Sequence, residues 1–179
     1  MKVAETERLL LRRFTLDDAP FILKMLNEPS WIRFIGDRGV RDIEGARNYL
    51  LKGPLAMYER AGFGLYLAAL KGTAVPVGMC GLIRRDNLDD VDLGFSLMPE
   101  FCGRGYAAEA ATAALALARD CFGLKRIVAI TSPDNENSIK LLGRLGFSFE
   151  KVIDFRPGDP VKLFALEWKT PVLAGSTGR

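Results

Sequence analysis

The stretch Cys102–Ala110, CGRGYAAEA, places Gly103 and Gly105 immediately ahead of a run of small, helix-forming residues. Glycine at both positions removes side chains where a loop turns into a helix, so successive backbone N–H groups converge on an anion at the positive helix terminus. Such a cradle suits a pyrophosphate. Two other readings fit the same residues. One is a tight strand-to-helix connection that needs glycine only for its dihedral angles. The other is a dinucleotide fingerprint, GxGxxA, through Gly103, Gly105 and Ala108. The surroundings weigh against the fingerprint: Pro99 and Glu100 intervene before the glycines, and the next strand ends at Thr131 and Ser132 with no acidic residue to hold a ribose. Too little chain follows to build both halves of a doubly wound sheet.

Upstream of this segment, Phe63–Lys71, Pro76–Arg85 and Val91–Leu97 are β-rich runs separated by the turn compositions GTAV and DNLDD, which predicts an antiparallel meander. Downstream, the alanine-rich run predicts a helix from Tyr106 to about Phe122, and RIVAIT (Arg126–Thr131) a buried strand. A helix from about Asn137 to Leu145 stops at Gly146. Strands Phe147–Ile153 and Val161–Trp168 then flank the turn RPGDP. At the N-terminal end, residues 7–14 predict a first strand. Thr15 and Asp18 resemble a capping box opening a helix with Phe21, Ile22, Met25 and Leu26 on one face. Pro29 is expected to end that helix, WIRFIGDRG (Trp31–Gly39) to form a loop, and a second helix to begin near Asp42 and break at Gly53 and Pro54. The order gives an α+β domain over residues 1–168, with a mixed, mostly antiparallel sheet of about seven strands and about four helices. Residues 169–179 are expected to be a frayed tail.

A chain of 179 residues with 49% apolar and 26% charged residues buries one substantial core. Its 25 basic residues exceed its 22 acidic ones by only three and form no stripe, which argues against a nucleic-acid partner. No apolar run reaches membrane-spanning length and the N-terminus does not read as a signal peptide, so no membrane role and a cytoplasmic location are expected. Cys80, Cys102 and Cys121 lack disulfide or zinc spacing. The chain has no histidine, which excludes Ser/His and Cys/His triads and HExxH chemistry together. An edge strand near the C-terminus would offer a surface for a homodimer.

The segment GFSLMPEFCGRGYAAEA (Gly94–Ala110), followed a helix and a strand later by SPDNENSIKLLGRLGF (Ser132–Phe147), resembles the GNAT superfamily of N-acetyltransferases, within its RimJ/RimL-like branch of ribosomal-protein N-terminal acetyltransferases. TERLLLRRFTLDDA (Thr6–Ala19), WIRFIGD (Trp31–Asp37) and GMCGLI (Gly78–Ile83) are similar to that branch too, so the likeness runs to Trp168. The resemblance implies acetyl-CoA as co-substrate and an amine as acceptor, either a protein N-terminus or a small molecule. It assigns the pyrophosphate to the backbone amides of Gly103, Arg104, Gly105, Tyr106 and Ala107, and further donor contacts to Phe95 and Leu97. Asn135 and Ser138 fall near the pantetheine arm and the departing thiol, although either Asn135 or Asn137 also suits a helix cap.

Three positions depart from or refine that pattern. Leu142 stands where many superfamily members carry a tyrosine general acid, leaving Ser138 or water to protonate the thiolate and keeping open a non-catalytic acyl-CoA-binding module. Cys102 replaces the branch's usual bulky aromatic; a thiol beside a helix N-terminus invites a ping-pong route, against the commoner role of a small buried hydrophobe. Asp92, at the branch's acidic position, is the candidate base acting through water, with an outward strand residue as the alternative. Glu109 is a weaker candidate base whose place in the first turn favours a structural role. Gly94 is expected to mark a strand distortion that exposes N–H groups to the thioester oxygen. Trp31, Phe34, Asp37 and Glu44 are expected on the acceptor side.

Overall fold

The computed structural model describes residues 1–168; the expected tail lies outside the described residues. Eight strands form one sheet: β1 (Lys2–Glu5), β2 (Leu9–Arg12), β3 (Leu65–Leu70), β4 (Pro76–Ile83), β5 (Asp92–Leu97), β6 (Arg126–Thr131), β7 (Ser148–Arg156) and β8 (Asp159–Glu167). Their spatial order is β1-β2-β3-β4-β5-β6-β8-β7, and every neighbouring pair is antiparallel except β5 with β6. The mixed, mostly antiparallel architecture agrees with expectation. The additional strand is β1, KVAE, too short for its alternation to stand out; Thr6 turns it onto β2 by donating its N–H to Leu9 O at 2.9 Å. β7 is the edge strand near the C-terminus.

The helices are α1 (Ala19–Leu26), α2 (Pro29–Phe34), α3 (Ile43–Leu50), α4 (Ala56–Ala61), α5 (Tyr106–Ala116) and α6 (Glu136–Arg144). Among the described residues no helix is long and apolar enough to cross a membrane. One expectation about proline fails, because a missing N–H costs nothing in the first turn of a helix. Pro29 does not end α1. That helix closes at Asn27, and Pro29 occupies the first turn of α2, so the first half of the expected Trp31–Gly39 loop is helical. The interruption expected at Gly53 and Pro54 is present as the wide π-type turn Leu51–Leu55, which separates α3 from α4.

The sheet separates two cores. On one face α5 packs over β2, β4 and β5, and Ala110, Ala111, Ala114 and Ala118 are fully buried, so small side chains set a close approach to the sheet. Leu93 of β5, Ala129 of β6 and Leu142 of α6 join this cluster. The opposite face is covered by α1–α3, where Phe14, Ile22, Met25, Trp31 and Leu50 pack on Leu67 and Met79. The predicted capping box is present ahead of α1: Thr15 donates its N–H to Asp18 Oδ2 at 2.8 Å, and Arg12 grips the same carboxylate at 2.6 and 2.8 Å.

Candidate active site

β5 and β6 run side by side as parallel strands, yet each has six residues and only Asp92 is in register with Val128. Val128 donates its N–H to Val91 O at 2.9 Å, and beyond that point the strands diverge. Met98 donates to Val77 O on β4, so strand alternation turns the backbone groups of Phe95 and Leu97 the other way, into the opening. Their side chains lie against the core under α5. The expected distortion at Gly94 is absent: it pairs with Gly81 without any register shift. A Cβ there would stand 2.8 Å from Ile83 Cδ1 and 3.2 Å from Leu65 Cδ2, so glycine makes room for those side chains. Strand divergence, rather than a bulge, exposes the backbone.

Because β5 and β6 are parallel, the loops leaving them flank the same end of this opening. The loop after β5 carries Gly103 at φ +74° and Gly105 at φ +82°, both left-handed conformations that favour glycine. Among the described residues no other backbone group accepts the N–H of Gly103, Arg104, Gly105, Tyr106 or Ala107, which leaves five donors together at the start of α5. Arg8, at the start of β2, braces this loop. Its Nη1 donates to Arg104 O at 2.9 Å, its guanidinium lies 4.5 Å from the Tyr106 ring centre, and its Nε donates to Glu109 Oε2 at 2.7 Å. Glu109 also accepts from Thr6 Oγ1 at 2.5 Å and from Arg8 N at 2.7 Å. Burial raises the Glu109 pKa, but Thr6 and Arg8 outweigh it and hold the carboxyl below its ordinary range. Glu109 is therefore a brace and not a base. The Arg104 side chain is exposed and, among the described residues, forms no ion pair.

Cys102 is exposed, not a buried hydrophobe. Its thiol donates to Met98 O at 3.6 Å, and partial burial together with the Glu100 charge raises its pKa, so nothing prepares a thiolate for a ping-pong step.

Asp92 is not an outward strand residue: it is 1% exposed and lies where β5 and β6 part. Burying a lone carboxylate costs on the order of several kcal/mol, and the group answers by shifting its pKa or finding a partner. Asp92 does both. Burial pushes it up to about 6 despite the opposing pull of Arg85, whose Nε donates to Oδ2 at 2.7 Å. Oδ1 makes no hydrogen bond; the Ile130 N–H, turned toward β5, pulls on the charge without reaching hydrogen-bonding geometry.

Across the opening, Asn135 caps α6 by accepting the Ser138 N–H at 3.1 Å, and both residues are half-buried. The capping role is thus filled by Asn135, not Asn137, and it engages only the amide oxygen. Leu142 is buried in the core and supplies no proton.

The residues expected on the acceptor side fare differently. Trp31 is 5% exposed and packs in the core beneath α1 and α3, so it is structural. Arg41 neutralises Asp37 at 2.5 Å, and Phe34 is covered by Arg33 at 4.8 Å. Glu44 is exposed in the first turn of α3. Arg85 holds Asp92 and lies 5.2 Å from the Phe155 ring centre, Arg156 lies 5.7 Å from the same ring, and Arg38 and Tyr49 are within electrostatic reach of Arg85. They come from four separate segments and carry no motif. Nothing in their local sequence marks them.

The Acetyltransferase (GNAT) domain family matches residues 8–148. The uncharacterized N-acetyltransferase YoaA of Bacillus subtilis is 28% identical over 153 residues, 84% of this chain and 85% of its own. Among solved structures, an acetyltransferase from Agrobacterium tumefaciens aligns with a TM-score of 0.79 at 24% identity, covering 94% of this chain and 95% of that one. The ribosomal L7/L12 α-N-protein acetyltransferase RimL, determined with coenzyme A, shares the fold with a TM-score of 0.80 at 17% identity, covering 93% of this chain and 98% of that one. With a braced anion cradle beside an opened parallel strand pair and a family match across most of its length, the chain belongs to the GNAT acetyltransferases and is an acetyl-CoA-dependent acyltransferase.

Proposed function

We propose that this enzyme moves an acetyl group from acetyl-CoA to a primary amine, on a protein N-terminus or a small molecule, by direct attack, in the manner of the RimJ/RimL-like branch. The observation that carries the proposal is the divergence of β5 from β6 with five free N–H donors at its end. The residues present fit the donor. Glycine at 103 and 105 leaves no side chain over the cradle, and a Cβ on Gly103 would meet nothing within 4 Å. The amides of Gly103 to Ala107 would hold the pyrophosphate, and the strand-like amides of Phe95 and Leu97 the pantetheine arm. When bound, acetyl-CoA supplies an activated thioester carbonyl.

The chain's own task is proton management, because only an unprotonated amine attacks and a free α-amine has a pKa near ~8. Asp92, with a pKa of about 6, is charged at neutral pH and is therefore able to receive that proton. Its unpartnered Oδ1 is the atom that would take it, through one water, while Arg85 holds the carboxylate in place. Asn135 anchors the first turn of α6, and the Ser138 hydroxyl on that turn is the proton donor for the departing thiolate. Leu142, where a tyrosine would serve, favours the slower water- or serine-mediated exit and keeps a non-catalytic binding module as the second reading.

Calorimetric titration with acetyl-CoA, followed by thiol-release assays on N-terminal peptides, polyamines and aminoglycosides, tests both readings. Binding with turnover on any amine is expected. Binding without turnover across the panel would favour the module, and absence of binding would refute both.

A further inference from the structure

Resting on the acetyl-transfer reading, we infer that the acceptor is an anionic amine, one carrying a carboxylate or phosphate close to the nitrogen, recognised by Arg38 and Arg156 above the Asp92–Arg85 pair.

Phe155, near the end of β7, is the pivot of this site. The Arg85 guanidinium lies 5.2 Å from its ring centre and that of Arg156 lies 5.7 Å away. Asn87, in the β4–β5 turn, donates to Phe155 O at 3.0 Å and ties the two segments together. Arg38 of the α2–α3 connection and Tyr49 of α3 lie within electrostatic reach of the same groups. Tyr49 feels the charges of both Arg38 and Arg85, while Arg38 is repelled by Arg156 and Arg85. Arg38 is exposed to water, and desolvation leads the influences that lower its pKa.

Positive charge gathers beside the Asp92–Arg85 pair. Arg38 is repelled by both Arg85 and Arg156, and of the three only Arg85 holds a carboxylate, Asp92 at 2.7 Å. Among the described residues, neither Arg38 nor Arg156 has an acidic partner, whereas Arg33 pairs with Asp134 and Arg126 with Asp90, Glu150 and Glu167. A cleft lined by one sign of charge concentrates ligands of the opposite sign, and planar guanidinium forks match carboxylate and phosphate oxygens. The same field opposes an ammonium group. It repels polyamines and, for an amine held by its own anion, favours loss of the proton that attack requires.

The test is thiol release at saturating acetyl-CoA with matched acceptors: phenylalanine against phenylalaninamide, glutamate against glutamine, phosphoethanolamine against ethanolamine, and spermidine as the polycation. An amide's less basic amine favours attack, so the first pair is biased against the proposal. The anionic member is expected to lead by at least tenfold in kcat/KM in one or more pairs. The pair that responds distinguishes an α-carboxylate, a side-chain carboxylate and a phosphate. Arg156→Gln and Arg38→Gln, both at exposed positions, should each reduce that preference about fivefold through acceptor KM, with the acetyl-CoA KM moving less than twofold. The proposal is overturned if the neutral member equals or exceeds the anionic one in every pair, if spermidine is the best acceptor, or if no anionic amine turns over while acetyl-CoA binds. A loss of acetyl-CoA affinity in the arginine variants also overturns it, because the cluster would then serve the donor. Failure of acetyl-CoA to bind the unaltered chain would instead sink the acetyl-transfer reading.

Discussion

The donor and acceptor halves proposed for this site are built from different materials. The donor half is backbone: the N–H groups of Gly103 to Ala107, and the strand edges of Phe95 and Leu97, exposed because β5 and β6 separate. The proposed acceptor half is side chain: Arg85 holds Asp92, Arg85 and Arg156 lie 5.2 and 5.7 Å from the Phe155 ring centre, and Arg38 and Tyr49 are within electrostatic reach of Arg85. A backbone site demands particular conformations, and those leave glycines at fixed spacing. A side-chain site demands only that its members meet in space, so each can sit anywhere in the chain.

The largest expected effect breaks the donor half alone. Gly105→Glu forces a side chain into a left-handed position, brings its Cβ to 3.2 Å from Arg8 Nη2, and sets a carboxylate at the anion cradle. Acetyl-CoA affinity should fall at least ~100-fold while the protein stays folded, since the strain is on the order of 1–2 kcal/mol; calorimetry and a thermal melt read the two effects separately.

Asp92→Asn sits at the boundary between the halves and should lower kcat ~10–100-fold with little change in acetyl-CoA KM. With its pKa at about 6, Asp92 must lose its proton to act as a base, so the wild-type kcat/KM should fall as pH drops through that value. The variant should lack this limb. A stability readout accompanies it. Burial raises the carboxyl from an ordinary 3.8, so stability that is fully present below about pH 4 is lost as pH rises through about 6. Asparagine escapes that loss, and the difference in melting temperature should shift toward the variant between pH 4 and pH 7.

A smaller change sharpens how the cradle is held. Glu109→Gln weakens the brace formed with Thr6 and Arg8, and should raise the acetyl-CoA KM about threefold. Since the Glu109 pKa is held low, its stabilising contribution is present above the ordinary carboxylate range and lost as pH falls. The melting difference from wild type should therefore shrink in acid. Smallest of all, Cys102→Ala should leave kcat within about twofold, because the raised thiol pKa gives no nucleophile to remove; a loss beyond tenfold would reopen a ping-pong route.

What could be read from the sequence follows the same division. The meander β3–β5, the strand RIVAIT, the alanine-rich α5 and the NENS turn into α6 all announce themselves by periodicity and capping chemistry. So does the cradle. Proline is legible only with its position: Pro29 misled because it starts a helix, whereas Pro54 marks the π turn that interrupts one. Trp31 and Asp37 look like a recognition loop when only their exposed chemistry is imagined, but one is core and the other is matched by Arg41. Arg85 closes the β-rich run Pro76–Arg85 and Arg156 stands where β7 meets the turn, so their surroundings signal only strand and turn, and their shared ring, Phe155, is separated from Arg85 by 70 positions. No local pattern encodes such a meeting. Asp92 stands between the two cases, found from its place on β5, while its burial and its partner became visible only in three dimensions.

The most direct test of the donor site is a backbone-amide NMR titration of the protein with coenzyme A. The largest shifts should fall on the amides of Gly103, Arg104, Gly105, Tyr106 and Ala107, followed by Phe95 and Leu97, with Arg38 and Arg156 little moved. Saturable binding that leaves the Gly103–Ala107 amides unshifted would contradict the account.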